Sequence, residues 1–447
     1  MKHLKRITFG ILFAFMMMLH VSAAEVSNYA DLKACLETDG STCTLKANVE
    51  LDNTIEIAED VTLDLNGYTI SLSDTYAGID SMFVVLHGGK LTVNDSSAAK
   101  TGKITTENSE DVFVGIKMTK AGGDNTLTAT LVVNGGTIEA TSYAISGNGN
   151  PGRDNTDVTI NGGTIKGESV GIFQPQVGKV TINGGKVTGA SGIEMRAGEL
   201  VVNGGTIEAT ATEVEINPNG NGNASKGVGI AVMQHTTVKP ISVTVNDGEI
   251  TGASALYQSN PQNNAADDIK KVDIAVKGGN FEATDENEKA VYSENVTEFV
   301  TGGTFNTKVE ETLVADTLTT KEENGVVYVG KESNVTVKDA TNGEVKADRT
   351  TAVEGQTVTL TITAAKGYKL DKVVVKDADG KEVTVTDGKF VMPGSDVEVS
   401  ATFVEDVTVT PDVPKTGDSF MLFVVLGFMS IAAIAVASNN LKKRTTR

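Results

Sequence analysis

The chain has no tryptophan, and aromatic residues make up only 5% of it. Histidine, arginine and cysteine are nearly as scarce. Between residues 25 and 416 the histidines are His87 and His235, the arginines are Arg153, Arg196 and Arg349, and the cysteines are Cys35 and Cys43. Two cysteines without histidine neighbours do not make a zinc site, and no cofactor is expected; calcium is the alternative, with no specific motif to support it. Basic residues are outnumbered, 38 Lys and Arg against 58 Asp and Glu, for a formal net charge of −20. Such a surface repels phosphate backbones, which argues against nucleic acid or anionic lipid as a partner. The two cysteines lie eight residues apart near the start of the chain. Outside a cell they can pair; two free thiols are the alternative, because sequence does not fix their distance.

Both ends read as addresses. Lys2, Lys5 and Arg6 precede an apolar run from Ile7 to Val21, and the small residues Ser22, Ala23 and Ala24 follow. That order is a secretory signal over residues 1–24, cut after Ala23 or Ala24. Its apolar run is shorter than the roughly 20 residues of a membrane span. At the other end, Val413, Pro414, Lys415, Thr416 and Gly417 precede an apolar span at 420–437 and a basic tail with Lys442, Lys443 and Arg444. Positive residues of this kind stay cytoplasmic. Leader and tail each carry three net positive charges, so the chain without them has a charge of about −26. Residues 413–447 resemble the cell-wall sorting signal read by sortases, with Val413 where leucine is usual. The resemblance implies attack by a sortase cysteine on the Thr416 carbonyl, loss of Gly417 onward, and transfer of Thr416 to a peptidoglycan amine. The protein would then be secreted and covalently attached to a Gram-positive cell wall. A plain C-terminal membrane anchor is the alternative.

Glycine is abundant, 47 residues, and much of it sits in one recurring phrase. Val158-Thr159-Ile160-Asn161-Gly162-Gly163 returns around Asn183 and Asn203, has an earlier copy at Asn134, and drifts at Asn246. Spacings of 20 to 27 residues mean a solenoid. Each copy holds three short alternating pieces, such as 158–160, 164–166 and 171–173, which is one coil of a three-sided parallel β-helix. Asn-Gly-Gly supplies turns that need φ > 0. Stacked coils place Asn134, Asn161, Asn183, Asn203 and Asn246 above one another as an amide ladder. The expected fold is all-β: a right-handed parallel β-helix of about nine coils over residues 25–330, about 4.8 Å per coil. An N-terminal cap at 25–60 uses the helical spacing of Tyr29, Leu32 and Leu36, and residues 325–330 supply a closing strand. The region 51–330 resembles the pectate-lyase-like superfamily, a likeness that specifies fold well and activity poorly.

From about Asn334 longer alternating strands appear, with hairpin signals at Asp379-Gly380 and Asp387-Gly388. Residues 331–405 are expected to form a small β-rich domain that resembles the divergent internalin B-type repeat of surface proteins. A linker at 406–412 follows. Asp377-Ala378-Asp379-Gly380 lacks the later ligands of a calcium loop and reads as a turn.

The resemblance to carbohydrate-cleaving β-helices raises the question of catalysis. Asn155-Thr156-Asp157 matches one polygalacturonase motif, but Asp267-Asp268 lies coils away, and the Gly-His-Gly and Arg-Ile-Lys motifs are missing. Arg196 with Glu194 is expected to be a solvated surface pair. No catalytic residue is assigned. The sequence favours binding, as an adhesin or glycan-binding module for a host or dietary glycan or a host surface protein, over a polysaccharide lyase or hydrolase. A passive surface coat is the third reading. Two neighbouring columns after the third strand of each coil would form the ligand face: Phe173, Glu194, Tyr257 and Tyr292 in one, Gln174 and Gln258 in the next, with Arg196 beside them. Aromatic rings stack on sugars and amides bond hydroxyls. Insertions at 147–156, 212–226 and 260–268 are expected on one side of the rod.

Overall fold

A computed structural model of the protein describes residues 23–407 apart from 108, 110 and 219. The expected leader up to residue 22 and the expected sorting signal Val413 to Gly417, with the apolar span and basic tail read after it, lie outside the described residues. So does most of the linker.

The repeat folds as a stack. In one coil the strands are Thr156–Ile160, Thr164–Gly167 and Val170–Gln174, and in the next Gly178–Ile182, Lys186–Gly189 and Ser191–Met195. Equivalent positions pair in parallel, Val158 on Val180, Ile165 on Val187 and Ile172 on Ile193. Alternation turns Val158, Ile160, Ile165 and Ile172 inward, and all are fully buried. Each such side chain contributes about 1.5–3 kcal/mol. The third strands of successive coils build a nine-stranded sheet, so there are nine complete coils among the described residues. The first two faces join in one larger sheet, because Gly198–Ala209 and Ile241–Gly252 run unbroken through the corner. The fold is a parallel β-helix followed by a small β-rich domain.

The corner divides its work between residues. Positive φ falls on the second glycine, Gly136, Gly163, Gly185 and Gly205, and on none of the ladder asparagines. A Cβ on Gly163 would lie 2.4 Å from the Gly136 carbonyl oxygen, so the site is closed to larger residues. The asparagines serve the stack instead. Asn161 Nδ2 donates to Asn134 Oδ1 at 2.8 Å, Asn183 to Asn161 at 2.8 Å, Asn203 to Asn183 at 2.9 Å and Asn246 to Asn203 at 2.8 Å. The ladder starts one coil earlier than the phrase suggested, with Asn134 donating to Asn94.

The ends of the stack are covered, as open sheet edges must be. Helix α1 (Tyr29–Leu36) is N-capped by Asn28 and buries Leu32, Cys35 and Leu36 over the first coil. A disulfide joins Cys35 to Cys43, with Cα atoms 5.9 Å apart. The first strand, Ala23–Val26, pairs with Thr42–Leu45, so cleavage after Ala24 would leave Glu25 and Val26 in place. At the far end, Val326–Gly330 closes the coil by antiparallel pairing with Thr304–Phe305 and Thr319–Glu323.

The second domain has its own core of Val358, Leu360, Val375, Phe390 and Val399. Its strands include Thr357–Ala364, Tyr368–Asp377 and Val397–Glu405. Asp387 and Gly388 both take positive φ in a two-residue turn. The Asp377 carboxylate caps the neighbouring turn by accepting from the Asp379 and Lys381 amides. At the junction Arg349 donates two bonds, 3.1 and 2.8 Å, to Glu323 on the closing hairpin of the helix. Those bonds hold the Glu323 carboxyl below its ordinary range.

Candidate functional site

The expected columns are in register: Phe173 pairs with Glu194, Glu194 with Ala231, Ala231 with Tyr257 and Tyr257 with Tyr292. The expected open face is not there, for two reasons. Neighbouring residues of a strand point to opposite sides. The second column therefore points into the core beside Met195 and Val232, and Gln174 and Gln258 are buried. Gln174 Nε2 donates to the Gln176 carbonyl at 2.9 Å, and Gln258 Oε1 accepts from Ser293 and the Asn295 amide at 2.9 Å each.

The first column does point outward, but the 212–226 insertion crosses it as a strap. A two-residue hairpin, Glu215–Ile216 with Ser225–Lys226, shapes the strap. At the near edge Tyr143 Oη donates to Asn223 Oδ1 at 3.0 Å. In mid-face Glu194 takes the amides of Ala224 and Ser225 at 2.9 Å and the Ser225 hydroxyl at 2.6 Å. Beyond the third strand His235 Nε2 donates to the Gly220 carbonyl at 3.1 Å, while its Nδ1 accepts from the Thr237 amide at 3.2 Å. This sealing corrects the reading of Arg196 and Glu194 as a solvated pair. Glu194 is 0% and Arg196 3% exposed, with Nε 2.9 Å from Oε1. It likewise removes Phe173 from the surface: the ring is 6% exposed, stacked on Tyr143 at 5.1 Å, with the Arg196 guanidinium 5.7 Å above it.

The strap divides the outward face in two. On its far side Tyr257 and Tyr292 stack at 4.5 Å, and Tyr292 is 37% exposed. Tyr257 packs under the strap beside Val214 and Ile216. Burial, helped by the neighbouring Tyr292, pushes the Tyr257 phenol up to about 12.

On its near side lies a cleft of about 430 Å³, within the roughly 300–1,000 Å³ of small-molecule sites. Phe113 and Tyr143, edge to face at 6.5 Å, form its floor, and Phe113 is 36% exposed. Burial raises the Tyr143 phenol above its ordinary value. Residues 147–150 make one wall and residues 220–222 of the strap the other. Lys117 and Asp80 sit at the edge, with Nζ 2.8 and 2.7 Å from the two carboxylate oxygens. The three insertions are tied together through residues 235–239: Lys239 bonds Asp154 and the Gly149 carbonyl, Asn264 donates to the His235 carbonyl, and the His235 ring bonds Gly220.

Phe113, Lys117 and Asp80 were missed from sequence because their coils carry no Asn-Gly-Gly phrase next to the third strand, and Tyr143 because it stands opposite Val170, three residues before the column that was read. Lys117 is nevertheless in the column, paired with Ser146. The residues of the partial polygalacturonase motif do not converge. Thr156 is buried, Asp157 aligns with Lys179 on the first face, and Asp267 and Asp268 pair locally with Lys270 and Lys271. Among the described residues no three His, Cys, Asp or Glu side chains gather in a metal-binding group. None of the described helices is long and apolar enough to cross a membrane.

Residues 333–407 match the family described as the divergent InlB B-repeat domain. No curated protein and no solved structure matches the chain.

Proposed function

We propose that the protein is a surface protein of a Gram-positive cell, joined to peptidoglycan at Thr416 by a sortase, and that its β-helix binds a glycan in the near-side cleft. The binding reading is carried by one observation: an open aromatic floor, Phe113 over Tyr143, between walls rich in asparagine and glycine. Ring faces take the apolar side of a sugar, while amides and carbonyls take its hydroxyls. The surface reading is supported by the order of leader, repeat domain of surface-protein type and sorting signal.

The geometry gives less support to a hydrolase. Hydrolysis needs two carboxyls flanking the bond, about 5–9.5 Å apart. Of the described residues lining the cleft, Asp80 is the one carboxylate, and both its oxygens face Lys117. A passive coat has no use for a built cleft. Array binding by the purified chain, weakened at least tenfold by Phe113→Ala, is the expected outcome; a chain that binds nothing on the array would sink the reading. For the anchor, muramidase digestion should release a chain carrying a peptidoglycan fragment on Thr416. Extraction by detergent alone, with residues 418–447 still attached, would contradict it.

A further inference from the structure

We infer that the cleft selects an uncharged glycan, in contrast to the polyuronates that a pectate-lyase-like fold brings to mind; this rests on the cleft being a glycan site. The charges around it are already answered from within the protein. Lys117 is held by both oxygens of Asp80. Arg196 is engaged by Glu194 and lies over the Phe173 ring. His235 has both ring nitrogens engaged, Nδ1 by Thr237 and Nε2 by the Gly220 carbonyl.

A carboxylate or sulfate entering the cleft would have to draw Lys117 away from Asp80. The half-buried aspartate would then be left without its partner, and that loss offsets the new contact. A cationic sugar meets the same obstacle from the other side, since Asp80 is already neutralised. At longer range, the formal charge of −20 slows the approach of any polyanion. What the cleft presents to a ligand besides these pairs is ring surface, amide and carbonyl, the set that hydroxyl-rich neutral sugars satisfy.

The test is an array carrying neutral glycans (hexose-, fucose- and N-acetylhexosamine-terminated) beside sialylated, sulfated and uronate glycans, followed by titration of the best soluble oligosaccharide. The expected result is neutral binders whose Kd changes less than twofold between 0.05 and 0.5 M NaCl, as no counterions are displaced. Phe113→Ala should raise Kd more than tenfold while leaving Tm unchanged, because its ring is partly exposed. Selective binding of acidic glycans, weakened by salt and by Lys117→Met, would overturn the inference and leave the glycan reading standing. No binding to any glycan would overturn both.

Discussion

Glu194 is the central anchor of the strap on the rod, between the Tyr143 and His235 contacts, and its removal has a calculable signature. The carboxylate is fully buried and receives the Ala224 and Ser225 amides, the Ser225 hydroxyl and Arg196 Nε. Glu194→Ala strips a nearly buried guanidinium of its carboxylate, which costs about 3–5 kcal/mol if nothing moves. The strap can move, because it lies outside the main apolar core of the stack, so the cost should appear as local opening. At about 1.4 kcal/mol per decade, 3 kcal/mol means roughly 100-fold faster exchange of strap amides. Hydrogen exchange by mass spectrometry should show that acceleration for residues 212–226, with the core strands Val170–Gln174 and Ser191–Met195 keeping their protection. Glu194→Gln, which retains one acceptor oxygen, should fall between. Unchanged exchange in the strap of Glu194→Ala would refute the reasoning, and so would uniform loosening of the whole rod.

Three other perturbations follow from the same structure. In the asparagine ladder, Asn161→Ala breaks two side-chain bonds and Asn246→Ala one. At about 0.5–1.5 kcal/mol each, urea denaturation should show the central variant losing about twice as much as the terminal one; equal losses would count against a ladder. For Asp95, burial pushes the carboxyl up, but hydrogen bonds from Ser97, Gly102 and Gly67 outweigh it and hold the pKa below its ordinary 3.8. Its stabilisation is therefore present above pH about 4 and lost as pH falls through the depressed value. Asp95→Asn should flatten the fall in urea midpoint below pH 4, and an unaltered pH slope would contradict this. Replacing Cys35 and Cys43 by serine opens a ring of about ten residues, worth about 2.5–3 kcal/mol on chain-entropy reasoning. The loss should appear as faster exchange in Tyr29–Leu36, and the experiment fails the account if that helix stays protected.

The stack was legible because its signal is periodic. One phrase repeated at 20 to 27 residues carries coil length, corner and inward positions together, and the same alignment yields the true register from Phe173 to Tyr292. Within a coil, alternation was applied to the strands but not to the neighbouring columns, so Gln174 and Gln258 were placed outside when period two puts them inside. The cleft was hidden for a different reason. Whether an outward residue meets solvent depends on where a polar insertion folds, and nothing local to residues 212–226 states that it will cross the face and end on Glu194 and His235. The covering helix was clear from the spacing of Tyr29, Leu32 and Leu36, while its N-cap at Asn28 emerged only with the structure.

The central claim is that ligand sits between the 147–150 wall and the strap, over Phe113. Hydrogen exchange of the chain with and without a saturating array-selected oligosaccharide tests this directly. The account predicts new protection confined to residues 113–118, 146–150 and 220–225. Protection instead on the first face, along the row of Thr92, Thr159 and Thr181, would contradict it.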